Sequence, residues 1–128
     1  MNLHITLGLT AVAGAAVGAA AIQSLHAQAK PVAYVVSEIT ITNQDGYNKD
    51  YVPPVVKTIQ DGGGKFIARG GKTVSFLGAP PAPRVVVIQF ESIDKAQAWF
   101  NSSANKDAQT IGDKYATFHS YAVEGVSQ

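Results

Sequence analysis

The chain contains no cysteine. That absence excludes a disulfide framework, a thiolate nucleophile and the lipid-modified bacterial anchor, which is built on a cysteine. Histidine is scarce. His4 and His26 lie in the first 29 residues, which leaves His119 alone in the remainder. A metal site wants several His, Cys or carboxylate ligands, so no metal is expected. No cofactor motif is present either. The charges nearly cancel, with ten Lys and Arg against nine Asp and Glu. A nucleic-acid or anionic-membrane surface needs a concentrated basic excess, so neither partner is expected.

Charge is also missing from one region altogether. Every Lys, Arg, Asp and Glu lies at or after Lys30, and Ile5 to Ile22 contains only Ala, Gly, Val, Leu, Ile and Thr. An apolar run followed by small residues has the form of a secretory signal. Ala27-Gln28-Ala29 has the small-x-small pattern, so residues 1–29 are read as a signal peptide cleaved after Ala27 or Ala29. The expected location is the bacterial periplasm or the medium, with no stable membrane anchor left after cleavage. The run is just long enough to span a bilayer, which needs about 20 residues. An uncleaved anchor is therefore the competing reading, and a buried helix the third.

Residues 30–128 suit one domain. At roughly 100 residues a chain buries about 60–70% of its unfolded surface, so this domain must cohere through its core alone. Ala33–Thr42 is β-branched and alternating, which reads as a strand. Asp45 and Gly46 suit a helix start, and Tyr47, Tyr51, Val55 and Ile59 recur at helical spacing. Pro53-Pro54 predicts a break near Val52 with a restart at Pro54, because proline fits only a first helical turn. Gly62 should end that helix.

Lys65–Gly70 reads as a second strand, and Thr73–Leu77 as a short strand turned back by Gly70-Gly71-Lys72. Gly78–Pro83 holds three prolines in six residues and reads as a loop. Arg84–Glu91 is apolar on both faces in its first half, as a central strand would be. Ser92 or Asp94 should cap a helix with Ile93, Ala96, Trp99 and Phe100 inward. Ser103 should cap another, carrying Ala104, Ala108, Ile111 and Tyr115, with Gly112 fraying its last turn. Thr117–Glu124 closes the series.

With the short strand set aside, this order is a split β-α-β repeat. The expected fold is α+β, a ferredoxin-like sandwich with an antiparallel sheet and helices on one face only. The uncovered face would carry Tyr34, Val36, Val85 and Val87, too apolar a surface to leave in water. Pairing of two copies through that face is the simplest way to cover it, so a homodimer is expected.

Residues 33–125 resemble the family catalogued as "domain of unknown function 1330", a member of the dimeric α+β barrel superfamily. The matching residues begin with Tyr34, Tyr47 and Tyr51, then Gly63-Gly64-Lys65-Phe66 with Arg69-Gly70-Gly71. They continue through Arg84-Val85-Val86-Val87-Ile88, Phe90, Ser92, Ala96, Trp99-Phe100, Ser102-Ser103 and Val123-Glu124-Gly125. The chain departs from the pattern at Gln89, where Glu is usual, at Ala104-Asn105-Lys106 and at Gly112. The resemblance implies a dimer whose two sheets face one another. It brings no known substrate.

Several residues remain as site candidates. Alternation with Phe66 and Ala68 toward the helices puts Ile67 and Arg69 on the open face. A charge there needs a partner, either Glu38 in an ion pair or an anionic ligand. Arg69, Glu38 and Gln89 are thus the candidate ligand-binding residues. His119 is either a structural strand histidine or, with Arg69 holding an anionic oxygen, a general base. Gly71-Lys72-Thr73 imitates a phosphate-binding loop, but Phe66 stands where that loop needs glycine. The expected function is a non-catalytic or small-molecule-binding domain. The alternative is a cofactor-independent enzyme of monooxygenase or isomerase type, acting on a small aromatic or carbonyl compound.

Overall fold

The computed structural model describes residues 30–127. The expected signal segment and its cleavage site lie outside them. Among the described residues no helix is long and apolar enough to cross a membrane.

β1 (Ala33–Ile41) is followed by α1 (Gln44–Gly46), a π-helical turn (Tyr47–Tyr51) and α2 (Val52–Asp61). β2 (Lys65–Arg69) and β3 (Arg84–Phe90) come next, then α3 (Ile93–Phe100), α4 (Ser103–Gly112) and β4 (Ala116–Glu124). The strands form one sheet in the order β2-β3-β1-β4, and all three pairings are antiparallel. Helices cover one face and the other is open, so the ferredoxin-like α+β expectation holds.

The helix before the diproline does not break at Val52. The Val52 N–H bonds the Tyr47 carbonyl, one residue wider than an α-turn, and Pro53-Pro54 then occupy the first turn of α2. A wider turn absorbs the missing proline donors while the axis continues. It also keeps Tyr47 and Tyr51 in the core, with ring centroids 5.1 Å apart. Asn43 is the residue that caps this run, its Oδ1 accepting the Gly46 N–H at 3.0 Å.

Thr73–Leu77 is not a strand. Residues 71–81 carry no ladder and are all exposed, with Phe76 and Leu77 more than nine-tenths so. The outer edge of β2 stays unpaired, and the segment that follows it is tied instead to the open face, where the Ala82 N–H donates to Glu38 Oε1. The second half of the molecule also shifts by a residue in places. Ser92 caps α3, its Oγ accepting the Lys95 N–H, but Ser102 rather than Ser103 caps α4. Ser102 is held there by donating to the Trp99 carbonyl at 2.7 Å. Phe100 is half-exposed rather than core, lying edge-on to Trp99. Tyr115 falls beyond α4, where its hydroxyl donates to Asp50 Oδ2 at 2.7 Å.

The core lies between sheet and helices. Val35, Ile39, Val86, Ile88 and Phe90 meet Tyr47, Tyr51, Val55, Ile59, Ala96 and Trp99 there. Phe90 and Trp99 stack at 5.3 Å, and the Trp99 indole N–H donates to the buried Thr58 hydroxyl at 3.0 Å.

Candidate functional site

Strand register decides which candidate residues share a surface. Across β3, β1 and β4, three rows lie on the open face: Gln89–Tyr34–Val123, Val87–Val36–Tyr121 and Val85–Glu38–His119. Successive side chains alternate between faces, so these rows are the complement of the core positions Val35, Ile39, Val86 and Ile88. The expected apolar patch of Tyr34, Val36, Val85 and Val87 is therefore present, and Tyr121 and Val123 extend it to the β4 edge.

Two candidates meet at one end of this face. His119 Nδ1 lies 3.6 Å from Glu38 Oε2, with the imidazole mostly exposed and the carboxylate mostly covered. Glu38 Oε1 accepts the backbone N–H of Ala82 at 3.0 Å. The proline-rich segment before β3 is thereby tied to the centre of the sheet. Gln89 stands two rows away, opposite Tyr34 on one side and Lys65 on the other.

Arg69 is elsewhere. The β2–β3 register slips between Phe66 and Ala68, so Phe66 pairs with Ile88, Ala68 with Val87 and Arg69 with Val86. Val86 and Ile88 are core residues, and Arg69 therefore belongs to the helix-covered face. Its guanidinium lies over the Phe66 ring at 4.4 Å. The expected Arg69–Glu38 ion pair does not form, because one extra residue at Ile67 reverses the alternation on which it rested. The same bulge puts Arg69 and His119 on opposite sides of the sheet.

A second arginine lies beside it. Arg84 opens β3 on the helix-covered face, two positions before Val86, with its Cζ 5.8 Å from the Tyr47 ring centroid. Gly70 packs against its guanidinium. A Cβ built on Gly70 would lie 2.9 Å from Arg84 Cζ, and Gly70 itself has φ +67°. Sequence reasoning missed Arg84, because a charged first residue of a strand reads as an exposed end. The signal that could have found it is the adjacent Gly70, placed to make room.

Among the described residues no group of three or more His, Asp or Glu is arranged to hold a metal. Burial, reinforced by Tyr47 and Asp113, raises the Tyr51 phenol above the usual tyrosine range. Tyr51 sits in the hydrophobic core and is a packing residue.

The fold is shared with RPA0582, a protein of unknown function from Rhodopseudomonas palustris. The crystal structure superposes with a TM-score of 0.62 at 9% identity, covering 77% of this chain and 85% of that one. The structure of the methylated form of that protein gives the same TM-score and identity, covering 76% and 82%. At that identity the likeness is one of fold. No curated protein matches the chain. The family model described as "Domain of unknown function (DUF1330)" matches residues 32–126, and the chain belongs to that family.

Proposed function

We propose that this chain is a small-molecule-binding, non-catalytic domain that works as a homodimer. Two copies close their open sheet faces on one another around a lumen bordered by Glu38, Gln89 and His119. The observation that carries this reading is the band Val87–Val36–Tyr121, which runs unbroken across three strands on the helix-free face. With Val85 and Val123 beside it, and Tyr121 and Val123 about half-exposed, the band is the kind of patch that marks association. The chain is further proposed to be exported, on the strength of its uncharged first 29 residues.

Light scattering of the full chain at micromolar concentration tests the pairing. The expected mass is about twice that of one chain, and Val36→Arg should yield single chains with unchanged circular dichroism. A natural protein that stays monomeric overturns the reading. Mass spectrometry of the natively expressed protein tests export; an N-terminus at Gln28 or Lys30 is expected.

One observation favours a second reading. A histidine beside a carboxylate is the arrangement that orients a general base, and His119 stands beside Glu38. On that reading the protein is a cofactor-independent enzyme, and His119→Ala should abolish turnover of its small aromatic or carbonyl substrate while leaving the dimer intact.

A further inference from the structure

We infer, resting on the face-to-face pairing proposed above, that residues 73–83 form an arm gripping the second copy, with Phe76 and Leu77 at its tip. Phe76 is 91% and Leu77 93% exposed, and Val74 beside them is 64% exposed. Phe100 and Tyr121, the other exposed Phe and Tyr side chains among the described residues, keep about half their surface covered. Residues 73–83 also include no charged side chain. A freely solvated segment is typically poor in aromatic and β-branched residues, and an apolar cluster left bare marks a contact surface.

The arm is held at both feet and free between them. The Gly70 N–H bonds the Val85 carbonyl at 2.9 Å, and the Ala82 N–H bonds Glu38 Oε1 at 3.0 Å. Between these points a Cβ built on Gly71 or Gly78 would meet nothing within 4 Å, so the backbone there stands clear of its own domain. Gly78 has φ +75°, which suits a turn, and Pro80, Pro81 and Pro83 stiffen the return limb. A segment with fixed ends and locked φ angles has less freedom to lose on docking than a slack loop.

The Ala82 foot decides what the tip can meet. Glu38 stands in the open-face row Val85–Glu38–His119, so the arm is anchored on the surface that carries the Val87–Val36–Tyr121 band. The tip does not fold back over that surface in its own chain, since Phe76 and Leu77 are bare and Tyr121 stays about half-exposed. In an isologous pair the same surfaces meet twice, so each copy contributes one arm and receives one. The tip then leaves water, and the opposing face is covered at the end where Glu38 and His119 border the lumen. Aromatic anchors of this kind carry a large share of association energy.

The test replaces Phe76 with the photoreactive p-benzoylphenylalanine in the full chain, irradiates it at micromolar concentration and maps the products by mass spectrometry. The expected product is a two-chain adduct linked from position 76 to β1, β3 or β4 of the other copy. Val36→Arg, which separates the faces, should remove it. Sedimentation equilibrium then compares the natural chain with the double variant Phe76→Ser, Leu77→Ser. Both side chains are more than nine-tenths exposed, so the domain should stay folded, and its dissociation constant should rise at least about tenfold. A protein that pairs equally well without these two side chains, or that forms adducts only within one chain, overturns the arm and leaves face-to-face pairing standing. A two-chain adduct that survives in Val36→Arg overturns it as well, because the arm then meets a surface other than the paired face. Co-sedimentation with phosphatidylcholine vesicles that disappears in the double variant assigns the tip to a lipid surface and overturns the choice of partner. A natural chain that stays single at every concentration overturns the pairing itself, and the arm with it.

Discussion

His119 Nδ1 lies 3.6 Å from Glu38 Oε2 across the β1–β4 ladder, while Glu38 Oε1 accepts the Ala82 N–H from the other side at 3.0 Å. The two contacts differ in kind. The first is a long contact on a largely exposed imidazole, weakened by solvent. The second is a charge-assisted bond from a largely covered carboxylate to a backbone donor.

Glu38→Ala should therefore cost about 1–2 kcal/mol, and His119→Ala less than about 0.5 kcal/mol. Urea denaturation measures both. Cleavage of residues 71–83 by a protease should accelerate in the glutamate variant alone, because that carboxylate is what holds Ala82. Equal losses in the two variants would refute the distinction.

Gly70 combines φ +67° with contact against the Arg84 guanidinium. Gly70→Ala should be destabilising by about 1–3 kcal/mol, since a methyl there meets both backbone strain and a packed side chain. The double variant Gly70→Ala with Arg84→Met should recover the steric part and leave the backbone part. A double variant no better than the single one would place the whole cost in the backbone.

Gly112 is buried in the last turn of α4, against the rings of Tyr51 and Phe118. A Cβ there would lie 2.6 Å from Tyr51 and 3.0 Å from Phe118. Glycine to alanine within a helix ordinarily gains about 1 kcal/mol. Here the sign should reverse, with Gly112→Ala losing about 1–3 kcal/mol from overpacking in chemical denaturation.

Thr58 and Trp99 share a buried hydrogen bond, and the Thr58 hydroxyl donates onward to the Val55 carbonyl at 2.8 Å. Thr58→Val keeps the volume and strands the indole N–H, at an expected cost of about 1–3 kcal/mol. Because Trp99 is the chain's one tryptophan, its fluorescence reports the change directly. An unmoved emission maximum would show that the indole has kept an acceptor.

Tyr51 gives a pH dependence with a definite sign. Burial raises its phenol in the folded state above the unfolded value of about 10. Its stabilising effect is complete below about pH 10 and is lost as pH rises toward the native value. The slope is up to about 1.4 kcal/mol per pH unit. Tyr115, raised by its hydrogen bond to Asp50, acts in the same direction. Tyr51→Phe should flatten the alkaline fall in melting temperature, and an unchanged slope would assign it to other groups.

Much of the fold was legible because its signals are local. The alternation in Ala33–Ile41, the helical spacing of Tyr47, Tyr51, Val55 and Ile59, and the Ser92 cap each depend on residues a few positions apart. The Thr73–Leu77 strand failed for the opposite reason. Its sequence has β propensity, but propensity alone does not make a strand: the outer edge of β2 is free, yet the segment is tied at Ala82 to Glu38 instead of pairing there. Gly112 was misread likewise: helix propensity describes an isolated helix, whereas this glycine admits a ring from another element.

The candidate site divides along the same line. That Glu38, His119 and Arg69 are the charged or titratable residues to watch follows from composition and strand parity. Which of them meet does not. A single extra residue at Ile67 turns Arg69 from the open face to the covered one, where it adjoins Arg84 instead of Glu38. The sequence by itself determined the ferredoxin-like order, the helix-free sheet face and the apolar band across it, because period and spacing specify which side of an element is oily. Only the tertiary structure decided that Glu38 pairs with His119 and that Arg84 is left with an unmet donor. Register and bulges are set by pairing between strands far apart in the chain, and one residue of slip exchanges the faces.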